Sequence, residues 1–216
     1  MLPHATAWFR LGEPGAGEVG YVNGELVSRL GENRVPLGRP QGEGRGFLAD
    51  AAAAAAAALS FGLDPTHVGA GIRSVEPLPH RGRVVARVGS VRFVDDSKAT
   101  NPHAALAALE GLTDAVLIAG GLSKGVDLTP LADATPSLSG VVVIGDAAAE
   151  IAGLFESAVP VRKAGSIEEA AGLALELAPE DGTVILAPAC ASQDMFRDYR
   201  ERGERFAAAA RKLAGD

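Results

Sequence analysis

Cysteine is nearly absent from this sequence: of 216 residues, only Cys190 carries a thiol. That excludes an internal disulfide framework and suits a reducing cytoplasm, the expected location. No block of basic residues occurs. Twenty Lys and Arg stand against 27 Asp and Glu, a net charge of −7, so nucleic acid is not an expected partner. No apolar stretch reaches the roughly 20 residues of a membrane span before Asp, Gly, Pro or Arg interrupts it. The start, Met1-Leu2-Pro3-His4, lacks a basic segment leading into an apolar run, so no signal peptide is expected. His4, His67, His80 and His103 lack the close spacing of metal ligands. Aromatic residues make up only 5%, and no repeat of fixed period is present.

What remains is ordinary globular composition, 47% hydrophobic and 22% charged. The length predicts one domain or two small ones. The first forty residues read as short β-runs, with Asn23-Gly24 as a two-residue hairpin turn. Residues 40–46 form a polar, Gly-rich loop. Asp50 then introduces an eight-alanine run, and propensity predicts a helix to about Leu63. Pro65 opens a second short helix to about Ile72. Val75-Glu76-Pro77-Leu78-Pro79 reads as a stiff linker, and the domain boundary is placed there, giving segments 1–78 and 79–216. Beyond it, strands are predicted at 83–88, 91–95, 115–119, 141–144 and 183–187. They alternate with helices at 102–109, 129–134, 147–155, 167–177 and about 195–213. Such alternation predicts an α/β domain with a mostly parallel, Rossmann-like sheet, and ligands bind beyond the carboxyl ends of such strands.

Three loops after strands carry the chemistry. In Asp95-Asp96-Ser97-Lys98-Ala99-Thr100-Asn101-Pro102-His103, Asn101 can cap a helix with Pro102 at its first position. That end suits a carboxylate or phosphate, and Lys98 and Thr100 add a cation and a hydroxyl donor. The bland alternative, a capped turn with a solvated charge cluster, is equally consistent with this local pattern. Gly120-Gly121-Leu122-Ser123-Lys124-Gly125 follows a strand and permits close backbone approach around Lys124. It is not G-x-x-x-x-G-K-[ST], so it is no Walker loop. Alone, it reads equally as a flexible turn. Ala187-Pro188-Ala189-Cys190-Ala191-Ser192-Gln193-Asp194-Met195-Phe196 is a run of small residues in which Ser192 can cap the last helix and bind an anion. Cys190 reads as a small buried residue rather than a nucleophile. In Pro79-His80-Arg81, Arg81 can clamp a phosphate; without further context it is a surface arginine.

In this order, with Tyr199 and Arg202-Gly203 behind them, these motifs resemble the Mur ligases, and among those the branch that adds D-glutamate. The resemblance covers essentially the whole chain, weakly before Pro77 and strongly after it. It implies that 79–216 is the C-terminal, amino-acid-binding domain and that 1–78 is the end of a P-loop-type central ATPase domain. It implies ATP and Mg²⁺ as cofactors, and D-glutamate and UDP-N-acetylmuramoyl-L-alanine as substrates, joined into an amide through an acyl phosphate. It also implies a monomer. Position by position, Thr100, Lys124, Ser192 and Tyr199 match D-glutamate contacts, Tyr199 at a Phe position of relatives. Arg81 and Lys98 match catalytic groups near the ATP phosphates, and Asp96 a ribose contact. Asp50 falls at an adenine-contacting Asn, and Phe47 replaces a second one. The family's P-loop, modified lysine, central His and Glu ligands and UDP-binding domain have no counterpart in the sequence. The 216 residues alone are therefore expected not to catalyse ligation. The alternatives are a non-catalytic D-glutamate-binding module and another amide ligase of the Mur or folylpolyglutamate type.

Overall fold

The computed structural model describes residues 7–42 and 44–215. Expectations resting on Met1 and His4, and Glu43 of the 40–46 loop, lie outside the described residues. Two compact units divide the chain, Met1–Leu78 and Pro79–Asp216.

The first unit holds a sheet in the order β1 (Trp8–Leu11), β2 (Glu18–Val22), β3 (Glu25–Ser28), β4 (Val35–Gly38). β1 runs parallel to β2, and the remaining pairs are antiparallel. Asn23 and Gly24, at φ 51° and 82°, make the hairpin between β2 and β3; two positive φ values are what a type I′ turn requires. β4 escapes the sequence reading because Pro36 interrupts it, and a proline is tolerated here because β4 is an edge strand. Two helices follow, α1 (Arg45–Ser60) and α2 (Pro65–Ser74). α1 begins ahead of the expected start at Asp50, because Arg45 to Ala49 continue the helix and Leu48 is buried with Ala52, Ala55 and Ala56. Asp50 is thus an exposed residue within the helix. Ala52, Ala55 and Ala56 pack with Val19, Leu26, Leu37, Val68 and Ile72 into one apolar cluster. Asp64 caps α2 by accepting from the Thr66 amide at 2.8 Å.

The second unit is an α/β domain. Its sheet runs β5 (Arg83–Val88), β6 (Val91–Asp95), β10 (Thr183–Leu186), β7 (Ala115–Gly120), β8 (Leu138–Ile144), β9 (Val161–Lys163). Only β5 is antiparallel to its neighbour. The helices are α3 (Pro102–Leu109), α4 (Ala148–Phe155), α5 (Ile167–Leu177) and α6 (Tyr199–Ala214). Strand side chains alternate between two cores, as the two-residue period demands. Leu117, Val141, Val143 and Ile185 join one core with Leu109, Ile151 and Phe155. Val116, Ile118, Val142 and Val184 join the other with Ile167, Ala174 and Phe206. A sheet buried on both faces explains the uninterrupted apolar run of β7.

Three expectations are corrected here. Residues 129–137 form a 3-10 helix rather than an α-helix; Pro136, inside it, cannot donate an α-helical bond. β9, only three residues long and carrying Arg162 and Lys163 on the sheet edge, was not anticipated. The last helix starts at Tyr199, not near Met195. Asp198 rather than Ser192 caps it, accepting from Arg200 N at 2.8 Å and Glu201 N at 3.0 Å, while the Ser192 carbonyl closes turns with the amides of Met195 and Phe196.

Candidate functional site

β10, though last in sequence, lies between β6 and β7. Three loops therefore leave adjacent parallel strands at their carboxyl ends: 96–101 after β6, 121–127 after β7 and 187–198 after β10. In sheets of this kind, ligands bind at such carboxyl ends. Backbone hydrogen bonds stitch the loops together. The Ala189 amide donates to the Ala99 carbonyl at 2.9 Å, and the Gly120 amide to Pro188 at 2.9 Å. Leu122 and Ala191 form a two-way antiparallel bridge. Thr100 follows Ala99, Ser192 follows Ala191, and Lys124 stands two residues past Leu122. The stitching thus brings these three predicted residues to one edge of the domain.

Arg202 is the hub beneath them. Its side chain is fully buried, yet every nitrogen finds a partner. Nε donates to Ser97 Oγ at 3.0 Å and Nη2 to the Ser97 carbonyl at 2.9 Å. Nη1 faces the carbonyls of Cys190 at 3.2 Å, Ala191 at 3.4 Å and Gly120 at 3.5 Å. One planar fork thus ties the 96–101 and 187–198 loops and the end of β7 to α6. Burial pulls its pKa down to about 10, with Asp194, Cys190 and Asp95 favouring the charge; it remains a cation at neutral pH. The sequence reading quoted Arg202-Gly203 as part of a motif without giving either residue this task. An arginine on an amphipathic helix ordinarily points to water.

A second anchor surrounds the first residues of the domain. His80 Nδ1 lies 2.6 Å from Asp95 Oδ2, and Asp95 Oδ1 accepts from the Ser97 amide at 2.9 Å. The Lys98 amide donates to the His80 carbonyl at 3.1 Å. A Cβ at Gly203 would collide with the His80 ring, so α6 approaches this pair as closely as backbone can. His80 is therefore a structural anchor for the loop that carries Lys98, and Asp95 is its structural partner, a pairing that the sequence reading missed.

The remaining predicted residues fall as follows. Arg81 is exposed but close enough to act on the Asp96 carboxylate. Burial and the neighbouring Asp95 push the Asp96 carboxyl up from 3.8 to about 6, with Arg81 pulling the other way. Lys98 Nζ sits 4.1 Å from the centroid of the Tyr199 ring. Lys124 is exposed at φ 55°, whereas Ser192 is 2% exposed. Asp50 belongs to the first unit and shares no element with the others. Asn101 accepts from the Ala104 amide at 2.9 Å and caps α3. Cys190 is buried, and desolvation pushes its thiol up to about 11, which leaves it protonated at neutral pH and a poor nucleophile. Among the described residues no group of three or more His, Cys, Asp or Glu is arranged to hold a metal ion, and no helix is long and apolar enough to cross a membrane.

The raised Asp96 pKa has a measurable sign. Between about pH 4 and pH 6 the folded chain keeps a proton that the unfolded chain has released, so this group makes stability fall as pH rises through that window. Asp96→Asn is expected to remove that slope and raise the denaturant midpoint at neutral pH. Midpoints of both proteins across the window check it, and parallel curves would refute it.

The family model described as "Mur ligase, glutamate ligase domain" matches residues 80–190, about half of the chain. The UDP-N-acetylmuramoylalanine--D-glutamate ligase of Frankia casuarinae is 46% identical over 173 residues, covering 78% of this chain and 37% of that protein. Its counterpart from Thermobifida fusca is 41% identical over 227 residues, covering 96% of this chain and 48% of that protein. The chain thus spans less than half the length of these two relatives. Among solved structures, the bifunctional folylpolyglutamate synthase/dihydrofolate synthase of Yersinia pestis superposes with a TM-score of 0.64 at 22% identity, over 88% of this chain and 45% of that one. The UDP-N-acetylmuramate-alanine ligase of Thermotoga maritima does so with a TM-score of 0.60 at 16% identity, over 89% and 44%. At those identities the likeness is one of fold. Stitched loops at the carboxyl edge of a mostly parallel sheet and a family match that spans two of those loops and the start of the third lead to one conclusion: the chain belongs to the Mur ligase family.

Proposed function

We propose that residues 79–216 form the D-glutamate-binding part of an ATP-dependent ligase that joins D-glutamate to UDP-N-acetylmuramoyl-L-alanine, with 1–78 belonging to its nucleotide-binding part. The observation that carries this reading is the convergence of Thr100, Lys124 and Ser192 on one edge of the sheet. It is supported by relatives named for that reaction at 46% and 41% identity.

D-Glutamate brings two carboxylates. A lysine, two hydroxyls and loop amides supply donors of the kind carboxylates accept, and hydrogen bonds to charged groups are the stronger sort. Held by both ends, the amino acid presents its amine to an activated carboxyl group without a protein base of matched pKa; the rate comes from orientation. Tyr199 closes the amino-acid side. Arg81 and Lys98 face the nucleotide side, where cations neutralise charge spreading over a transferring phosphoryl group, and Asp96 serves as the ribose contact. The roles proposed for this chain's own residues are binding, orientation and charge neutralisation. ATP, when bound, supplies the phosphoryl group that activates the substrate carboxyl.

Calorimetric or NMR titration of the chain with D-glutamate and L-glutamate tests the reading. D-Glutamate is expected to bind and L-glutamate to bind more weakly. Lys124→Ala should weaken D-glutamate roughly 10- to 100-fold, the range for a lost hydrogen bond to a charged group. Equal binding of the two enantiomers, or an unchanged affinity in Lys124→Ala, would overturn it.

A further inference from the structure

The lysine assigned to phosphate and the aromatic ring assigned to the amino acid touch each other. Lys98 follows directly on Asp95-Asp96-Ser97, yet among the described residues its ammonium pairs with no carboxylate. It sits over the Tyr199 ring instead, 4.1 Å from the centroid. The contact is built into the backbone. Ser97 Oγ donates to the Tyr199 carbonyl at 2.7 Å, and the same oxygen accepts from Arg202 Nε at 3.0 Å. The residue before Lys98 is therefore bolted to the first residue of α6. The His80 ring meets the Tyr199 ring edge-on, at 6.0 Å between centroids and 81° between planes, while the His80 carbonyl accepts from the Lys98 amide at 3.1 Å. His80 thus braces both partners. Arg200 also lies over the ring, at 5.2 Å, so the π-face is already an established seat for cations.

We propose that Tyr199 is a positioning residue for Lys98, and that this contact couples the amino-acid site to the phosphate site. The inference deepens the proposed function and rests on it for the identity of the two ligands. A ligand that displaces the ring releases the ammonium, and a phosphate that draws the ammonium away frees the ring. Linkage makes the effect reciprocal: whatever factor D-glutamate applies to the affinity at Lys98, a phosphate ligand at Lys98 applies to D-glutamate. A cation–π contact of this exposure corresponds to a factor of roughly two to five.

NMR of the chain with labelled lysine provides the test. Without ligand, the Lys98 ε-methylene resonance is expected upfield, in the ring's shielding cone. It should stay there in Tyr199→Phe, which keeps the π-face, and return to its unshifted position in Tyr199→Leu. An unshifted Lys98 in the parent chain, or one indifferent to Tyr199→Leu, overturns the proposal before any ligand is added. D-Glutamate should then move the Tyr199 ring and the Lys98 ε-methylene along one saturation curve. If Thr100, Ser192 and Tyr199 respond but Lys98 does not, the coupling fails and the D-glutamate assignment stands. If none responds while Lys98 remains ring-shifted, the D-glutamate assignment fails and takes the coupling with it. In a double-mutant cycle, Lys98→Met should change the D-glutamate dissociation constant roughly two- to fivefold beside Tyr199 or Phe, and leave it unchanged beside Leu. Equal changes in all three backgrounds would refute the contact's role.

Discussion

Arg202→Met is expected to destabilise the second unit by about 3–5 kcal/mol, the largest effect of any single side-chain replacement considered for this chain. The magnitude follows from what is left behind. Methionine fills much of the volume and offers no donor. The carbonyls of Ser97, Cys190, Ala191 and Gly120 and the hydroxyl of Ser97 all lose a partner in a place water does not reach. Ala191 keeps its bond from the Leu122 amide and Ser97 Oγ its bond to the Tyr199 carbonyl, but each buried carbonyl left without any donor costs about 1–3 kcal/mol before relaxation. Asp194 and Asp95 lose their buried counter-charge as well. Arg202→Lys should recover only a fraction, because one ammonium cannot span Ser97 on one side and Gly120, Cys190 and Ala191 on the other. Urea unfolding followed by far-ultraviolet circular dichroism reads the effect. The midpoint is expected to fall in the variant. A loss below about 1 kcal/mol would show that the fork is dispensable.

Gly120→Ala is the second large effect, expected at about 3 kcal/mol or more, with loss of D-glutamate binding. The residue ends β7 at φ 125°, a conformation essentially closed to residues with a Cβ. The added methyl would also overlap the Ile144 carbonyl oxygen of the adjacent strand. That obstacle is backbone inside a parallel sheet, so no side-chain rotation relieves it. β7 and β8 must part, and the loop that carries Lys124 shifts with them. Melting temperature and D-glutamate titration together test this. A variant that folds with an unchanged midpoint and unchanged affinity would contradict the close approach of the two strands.

Much of the second unit was legible because it is buried on both sides. Strands such as β7 are continuous apolar runs and α5 has a clear serine cap, so residue type alone separates them from loops. The elements that escaped are those in which tertiary context outweighs local signal. β4 contains a proline tolerated only at a sheet edge, β9 is three residues with two charges, and α6 waits for the better cap at Asp198. The same division runs through the site. Loops rich in Gly, Lys, Ser and Thr after apolar runs stand out in the sequence as candidate sites. What holds them does not: Arg202 meets Ser97 across 105 positions of chain, and His80 meets Asp95 across 15. Neither separation has a periodicity to detect. Amphipathic patterning assigns Arg202 to water, and only the packing of α6 over the loop ends puts it inside.

The order of strands also has a consequence in time. β10 occupies the middle of the sheet, between β6 and β7, although it comes about 90 residues after β6 and about 65 after β7. A chain growing from its amino end builds β6, β7, β8 and β9 before the strand that joins the first two exists. Until then, β6 and β7 each offer an open edge where β10 will sit, and the loops holding Thr100 and Lys124 have nothing to stitch them together. The proposed binding edge is therefore among the last features to assemble. Its appearance should mark completion of the domain, limited by a closure between residues distant in sequence rather than by any local helix or turn.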